Sequence, residues 1–295
     1  MDADYALRWV IIACRFTDLF EESNQRKLSD AGVTYVEQVV TLLGRGLALA
    51  MALEKWASQG IWVISWSDPE YPVNYKERLK GQAHPILYGI GDKALLAAGG
   101  LAIIGSRNVD EQGVVFARKA AESCAAHGIK VISGGARGVD SEAMLACLDN
   151  GGNAVGVLSD SLARHAVSSR FRNAIINRSL VLVSPFEPEA RFFVSNVMAR
   201  NKLIYTLADF AMVISSDYKK GGTWAGAVED LDKGWVPLFV RKDNNVPVGN
   251  LRLLDTGAIA IDEGSLSSDI IGWMQQEIAS RGGFDGKANS KTADS

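Results

Sequence analysis

The stretch from Leu101 to Asp140, LAIIGSRNVDEQGVVFARKAAESCAAHGIKVISGGARGVD, limits the possible folds more than any other part of the chain. It opens on Leu101-Ala102-Ile103-Ile104, an apolar run too short for a helix and typical of a strand buried on both faces. The run breaks at Gly105-Ser106-Arg107, and a helical pattern follows with Val114, Ala117, Ala121, Cys124 and Ala125 on one face. Asn108 or Asp110 can cap it, because either side chain can accept from the free amides of the first turn. Gly128 ends it, and a second apolar run, Lys130-Val131-Ile132, meets a second glycine loop at Ser133–Gly138. Asp140 or Ser141 then opens another helix. Strand, loop, helix, strand, loop, helix demands parallel strands, with both loops at their carboxyl ends, where α/β sheets bind ligands.

The two loops share their chemistry: glycines, a hydroxyl and an arginine. Glycine lets backbone approach a ligand closely, free amides at a helix start favour an anion, and the guanidinium is a permanently charged fork suited to phosphate. A single loop of this kind reads equally well as a tight turn. Two adjacent loops, each with an arginine, favour a phosphate site built on Gly105, Ser106 and Arg107 and on Ser133, Gly134, Gly135 and Arg137. Asp140 is expected to cap its helix and orient an arginine. Neither the phosphate loop GxxxxGK[ST] nor the dinucleotide fingerprint GxGxxG is present.

A net charge of −3 excludes a protein that coats nucleic acid by overall charge, so any such binding must use a local patch. One patch is visible. From Arg164 to Lys202 there are seven cations (Arg164, Arg170, Arg172, Arg178, Arg191, Arg200 and Lys202) against Glu187 and Glu189, an excess of five. A solvated face is the usual fate of such a run, but here it lies between strands whose loops already look anion-binding. Three histidines and three scattered cysteines, Cys14, Cys124 and Cys147, predict no metal site and a reduced cytoplasmic protein with buried thiols. The first residues carry no basic leader and no span-length apolar run, so no membrane association is expected.

Residues 1–58 read as a helical module. Its apolar stripes are Tyr5, Leu7, Val10 and Ile11; then Val36, Val39, Val40, Leu42 and Leu43; then Leu47 to Trp56. Residues 59–280 read as one α/β domain. Strands are expected at Gly60–Trp66, Ile86–Tyr88, Asn153–Leu158, Leu180–Val183, Phe210–Ile214, Val236–Val240 and Ala258–Ile261. Helices are expected at Val194–Leu207, from about Trp224 to Lys233, and at Ser265–Ala279 with Ile270, Ile271, Met274 and Ile278 on one face. Between strand and helix, Ser215–Thr223 supplies a third glycine loop, with Lys220, Gly221, Gly222 and Thr223 as candidate ligand groups. Small polar residues at 281–295 predict a disordered tail. The alternation specifies a Rossmann-like, doubly wound, mostly parallel α/β sheet with a small N-terminal helical module.

Several ordered motifs resemble the DprA/Smf family of DNA-processing proteins: GSR at Gly105–Arg107, SGGARGVD at Ser133–Asp140, ARNKLI at Ala199–Ile204 and KKGGTWAGAVE at Lys219–Glu229. Upstream, GIWVIS, DPEYP (Asp68–Pro72) and HPILYGIG (His84–Gly91) are similar to the family's lead-in, so the resemblance spans about Gly60 to Val240. It implies a non-enzymatic, cofactor-free homodimer that binds single-stranded DNA and helps load recombinase RecA, with Arg200, Asn201 and Lys202 added to the site. Lys202 stands where the family has arginine, which keeps the charge and loses the fork. Other departures are Met144 after Ala143, where the family has histidine, Ser159-Asp160-Ser161, Ser184-Pro185, and no evident C-terminal winged helix. Divergent relatives occur in phage-defence and toxin–antitoxin settings, so recombination with RecA and a defence role with a toxin partner both stay open.

The competing reading is a nucleotide sensor or a LOG-like nucleotide phosphoribohydrolase, whose glycine–threonine loop resembles Gly221-Gly222-Thr223. In those enzymes a glutamate closely follows the threonine. Here Trp224 to Val228 intervene before Glu229, and no other carboxylate is placed to reach a sugar, so no catalytic residue is assigned. Trp224 reads equally as a base-stacking face or as core.

Overall fold

A computed structural model describes residues 22–30, 41, 45–97, 99–266 and 269–284. The stripes from Tyr5 to Ile11 and from Val36 to Leu43, Cys14, and the tail from 285 onward lie outside the described residues. The chain divides after Ser58 into two units. In the first, helices α1 (Glu22–Asp30) and α2 (Gly46–Ser58) are described, and α2 carries the stripe from Leu47 to Trp56.

The second unit is built on a nine-stranded sheet. Its elements are β1 (Trp62–Ser65), α3 (Val73–Leu79), β2 (Ile86–Gly91), β3 (Leu101–Gly105), α4 (Glu111–Ala126), β4 (Val131–Ser133), α5 (Val139–Asp149) and β5 (Ala154–Val157). These are followed by α6 (Leu162–Ala166), α7 (Ser169–Ile176), β6 (Leu180–Ser184), α8 (Val194–Leu207), β7 (Phe210–Ser215), α9 (Gly221–Lys233), β8 (Leu238–Arg241), α10 (Val248–Asp255), β9 (Ile259–Ile261) and α11 (Ile270–Ser280). The strand order is β1-β2-β6-β5-β4-β3-β7-β8-β9. β1–β2 and β2–β6 pair antiparallel and the remaining neighbours pair parallel. This is the doubly wound α/β sheet that the alternation specified.

The apolar runs behave as buried strands must. Leu101 and Ile103 of β3, with Met212 and Ile214 of β7, face one core with Phe116, Ala117 and Ala120 of α4, Val139 and Ala143 of α5, and Met274 of α11. Ala102 and Ile104, with Ala211 and Val213, face the other core with Leu203 and Ile204 of α8, Tyr75 of α3 and Ala227 of α9. Alternate residues thus serve opposite cores, which is why these strands show no polar face. Cys124 and Cys147 are free and buried, and burial pushes the Cys147 thiol up to about 11.

Four expectations need correction. The α4 face is wider than the expected one: Ala117, Ala121 and Cys124 are buried and Ala125 packs on the same core as expected, but Phe116 and Ala120 are buried as well and Val114 is half-buried. The caps resolve to Asp110, which accepts from the Gly113 amide at 2.9 Å, and to Gly138, so Asp140 sits inside α5 and caps nothing. Gly138 holds φ 90, and a Cβ there would lie 2.5 Å from the Ser106 carbonyl oxygen, so the turn excludes the side-chain caps. α11 starts at Ile270, five residues later than Ser265, because Asp269 caps it through the Gly272 amide. α9 begins at Gly221 and not near Trp224, so the glycines form its first turn. The short helices α3, α6, α7 and α10 carry too little periodicity to stand out in the sequence.

Candidate nucleic-acid interface

Strand order reverses between β3 and β7. The chain moves outward one way through β4, β5 and β6, and the other way through β8 and β9. Neighbouring connections therefore diverge over opposite faces and leave a crevice beyond the carboxyl ends of β3 and β7. A cavity of about 600 Å³ opens there. Gly105, Ser106 and Arg107 form one wall, and Lys219 to Thr223 form another.

The floor is a buried ion pair. Asp140 of α5 accepts from the Gly105 amide at 3.3 Å and faces the Arg200 Nη1 of α8 at 3.9 Å. Both side chains are buried. Burial pushes the Asp140 carboxyl up, against the pull of Arg200 and of the loop amides. Burial pulls the Arg200 guanidinium down, Asp140 opposes that, and the group remains charged. Arg200 lines the cavity and its Nε has no partner. The second glycine loop exists to admit this pair: a Cβ at Gly134 would lie 1.7 Å from Arg200 Nη1 and 2.4 Å from Asp140 Oδ2.

The rim carries the accessible cations. Arg107 is exposed, and its guanidinium stands 5.6 Å from the ring centre of Phe192, itself in the cavity wall and 48% exposed. Lys219 and Lys220 are exposed on the β7 side. Lys220 is the N-cap of α9 and gives no side-chain cap, so the first amides of α9 face the crevice without an internal acceptor. Asn201 fixes that turn by donating from Nδ2 to the Gly222 carbonyl at 2.9 Å. Behind it Asn250 of α10 accepts from the Ser216 amide at 2.8 Å and donates to the Ile214 and Arg241 carbonyls, each at 3.0 Å. The cavity wall holds Arg107, Arg200, Lys219 and Lys220 against Asp140 and Asp217, an excess of two positive charges in a chain whose net charge is −3.

The structure sorts the sequence candidates. Gly105, Ser106, Arg107, Arg200, Asn201, Lys220, Gly221, Gly222 and Thr223 come together at the cavity. Ser133 faces the sheet and donates to the Ile103 carbonyl at 2.6 Å. Gly134 and Gly135 stand behind the wall, and Arg137 is exposed outside it. Lys202 lies outside the wall and pairs with Glu229 at 3.0 Å, and Glu229 is outside the wall too. The expectation that Asp140 braces an arginine holds for Arg200, a residue of another element. Trp224 packs on the core and also lines the cavity. Sequence reasoning missed Phe192, whose signal was Arg191-Phe192-Phe193, an aromatic pair beside a cation in a loop. It also missed Asn250, which no local pattern marks. Among the described residues no group of side chains could hold a metal ion, and no helix is long and apolar enough to cross a membrane.

Residues 62–268 match the family profile of DNA recombination-mediator protein A. The chain belongs to that family. Among its relatives, the DNA processing protein DprA of Bacillus subtilis is 25% identical over 217 residues, 72% of each chain. Protein Smf of Escherichia coli is 30% identical over 126 residues, 41% of this chain and 33% of that one. The chain spans 49% of the length of the DprA-named relative from Mycobacterium tuberculosis, at 28% identity. The crystal structure of Streptococcus pneumoniae DprA superposes with a TM-score of 0.67 at 20% identity, over 82% of this chain and 84% of that one. Helicobacter pylori DprA, solved to explain its own single-stranded DNA binding mode, superposes at 0.60 with 22% identity, over 74% and 98%. At these identities the two structures speak for the recombination-mediator fold.

Proposed function

We propose that this chain binds single-stranded DNA with little sequence preference and acts as a recombination mediator, without catalysis and without a cofactor. The observation that carries the reading is the pairing of phosphate and base chemistry in one crevice. Arg107 stands beside the exposed Phe192 ring, across from the uncapped α9 turn and Lys220. Arginine, lysine and helix amides seat phosphates, and an aromatic face holds an unstacked base of any identity. A duplex offers no unstacked base. The family membership supports recombination over a defence or antitoxin setting, with recombinase RecA as the partner to which the strand is handed. The working unit is a homodimer, which gains affinity when two sites engage one strand.

The deciding experiment is a binding panel of single-stranded DNA, duplex, RNA and mononucleotides at matched salt, with product analysis. Preferential binding of single strands with no turnover is expected. Equal affinity for duplex, or release of free base from a nucleotide, overturns the reading. Light scattering at micromolar concentration should return twice the chain mass of 31.8 kDa, and a monomer mass removes the dimer.

A further inference from the structure

We infer that a bound strand continues from the cavity onto Tyr218, which forms a second base-stacking station on the β7 side; this rests on the single-strand reading above. Tyr218 lies between Asp217 and Lys219, both in the cavity wall, but is itself outside the wall and 43% exposed. Its ring meets Trp224 edge-on at 5.0 Å between centroids and 83° between planes. Trp224 is half-buried against the core, so this contact anchors the tyrosine, which stays partly exposed. Two cations stand over the ring: Lys219 Nζ at 5.2 Å and the Arg252 guanidinium at 5.9 Å from its centre. Arg252 also pairs with Asp255 at 3.1 Å. Counting Asp217 and Asp255 against Lys219, Lys220 and Arg252, this rim keeps one positive charge.

The backbone is shaped to present the ring. Lys219 holds φ 55 and Gly221 holds φ 81. A lysine in the left-handed region is uncommon and persists where its surroundings hold it. The Asn250 hydrogen bonds to Ser216, Ile214 and Arg241 supply that hold directly beneath the loop. An exposed aromatic ring with two cations over it, continuous with a crevice already lined by Arg107 and Phe192, repeats the same chemistry one station further on. A base that stacks on the ring takes the place of a flexible cation over it, and Lys219 and Arg252 swing onto the adjoining phosphates. An acidic peptide would satisfy the cations and leave the ring without a flat partner.

The test measures binding of a thymidine dodecamer and of a thymidine dinucleotide to the wild type and to Tyr218→Ala, Tyr218→Phe, Arg252→Ala and Phe192→Ala. Tyr218→Ala should weaken dodecamer binding roughly five- to hundredfold, the range of one lost base stack, and leave the dinucleotide unchanged. Tyr218→Phe should keep wild-type affinity. Arg252→Ala should lower the slope of log affinity against log salt by about 0.7 for the dodecamer. Phe192→Ala should weaken both probes. Wild-type dodecamer affinity in Tyr218→Ala, or an equal loss on both probes, overturns the second station while leaving the cavity reading intact. Failure of the wild type to bind the dodecamer overturns the cavity reading, and the station with it.

Discussion

Arg107, Arg200 and Lys202 are cations of one motif set, yet their surroundings assign them different work. Arg107 is exposed on the rim, Arg200 is buried over Asp140, and Lys202 is tied to Glu229 outside the wall. Arg107→Ala should therefore lower the salt slope for single-stranded DNA by about 0.7 without changing the melting temperature, whereas Lys202→Ala should leave the slope at its wild-type value. A changed slope in Lys202→Ala would reject this division. Gly134→Ala should act through the floor. Its Cβ would meet Arg200 Nη1 at 1.7 Å, so the ion pair must shift and stability should fall by roughly 3 kcal/mol, the upper end of overpacking costs. Thermal unfolding together with binding measures both losses.

Asp230 gives the residue scale a pH signature. Burial raises its carboxyl well above the ordinary carboxylate range, although the Val236 amide and Arg78 pull the other way. A carboxyl that holds its proton longer when folded contributes stability in full below the unfolded value near 3.8 and loses it as pH rises through the folded one. The wild type should thus lose stability on that side as pH rises. Asp230→Asn keeps an Oδ1 acceptor for the Val236 amide and should be more stable than wild type at neutral pH, with the difference vanishing in acid. Denaturant midpoints across pH check the sign, and a variant less stable than wild type at neutral pH refutes it.

At the scale of elements, the site is a set of loop ends held by neighbours distant in sequence. Asn250 closes the ends of β7 and β8 with three buried hydrogen bonds. Asn250→Ala leaves the Ser216 amide and two carbonyls without those partners and should cost at least about 3 kcal/mol, at one to three per buried group. It should also weaken single-strand binding, because the loop from Ser216 to Lys220 loses its anchor. Unchanged binding in a folded Asn250→Ala protein would show that the loop is held by other means. Arg78 plays the matching part for α8, donating to the Thr206 carbonyl at 2.9 Å and the Ala208 carbonyl at 2.6 Å at its last turn. α8 in turn carries Arg200 and Asn201 to the cavity.

At the scale of the whole molecule, the proposed function requires an acidic chain, with an isoelectric point near 5.7, to hold nucleic acid on a local patch. Binding should therefore fall steeply with salt but saturate at a short site, unlike a protein that coats nucleic acid by overall charge. Single-stranded DNA should raise the melting temperature in proportion to occupancy, and duplex at the same phosphate concentration should not. Equal shifts from both would contradict the crevice.

The strand–glycine–helix repeat at Leu101–Asp140 determined the parallel sheet and the end of it that carries the site, because buried strands, glycine turns and helix starts are local and leave a local pattern. The GSR and GGT loops were legible for the same reason, as was the buried state of Cys124 and Cys147. Only the tertiary structure decided what each charge faces. Asp140 meets Arg200 across 59 intervening positions of chain, Lys202 meets Glu229, and Arg107 meets Phe192. Such partners come from packing of elements far apart in sequence, and a side chain's charge fixes its chemistry without fixing its direction. The cap of α5 shows the same limit at short range: Asp140 has the chemistry of a cap, but the close approach of Gly138 to Ser106 moved the helix start and put the carboxylate in the cavity floor.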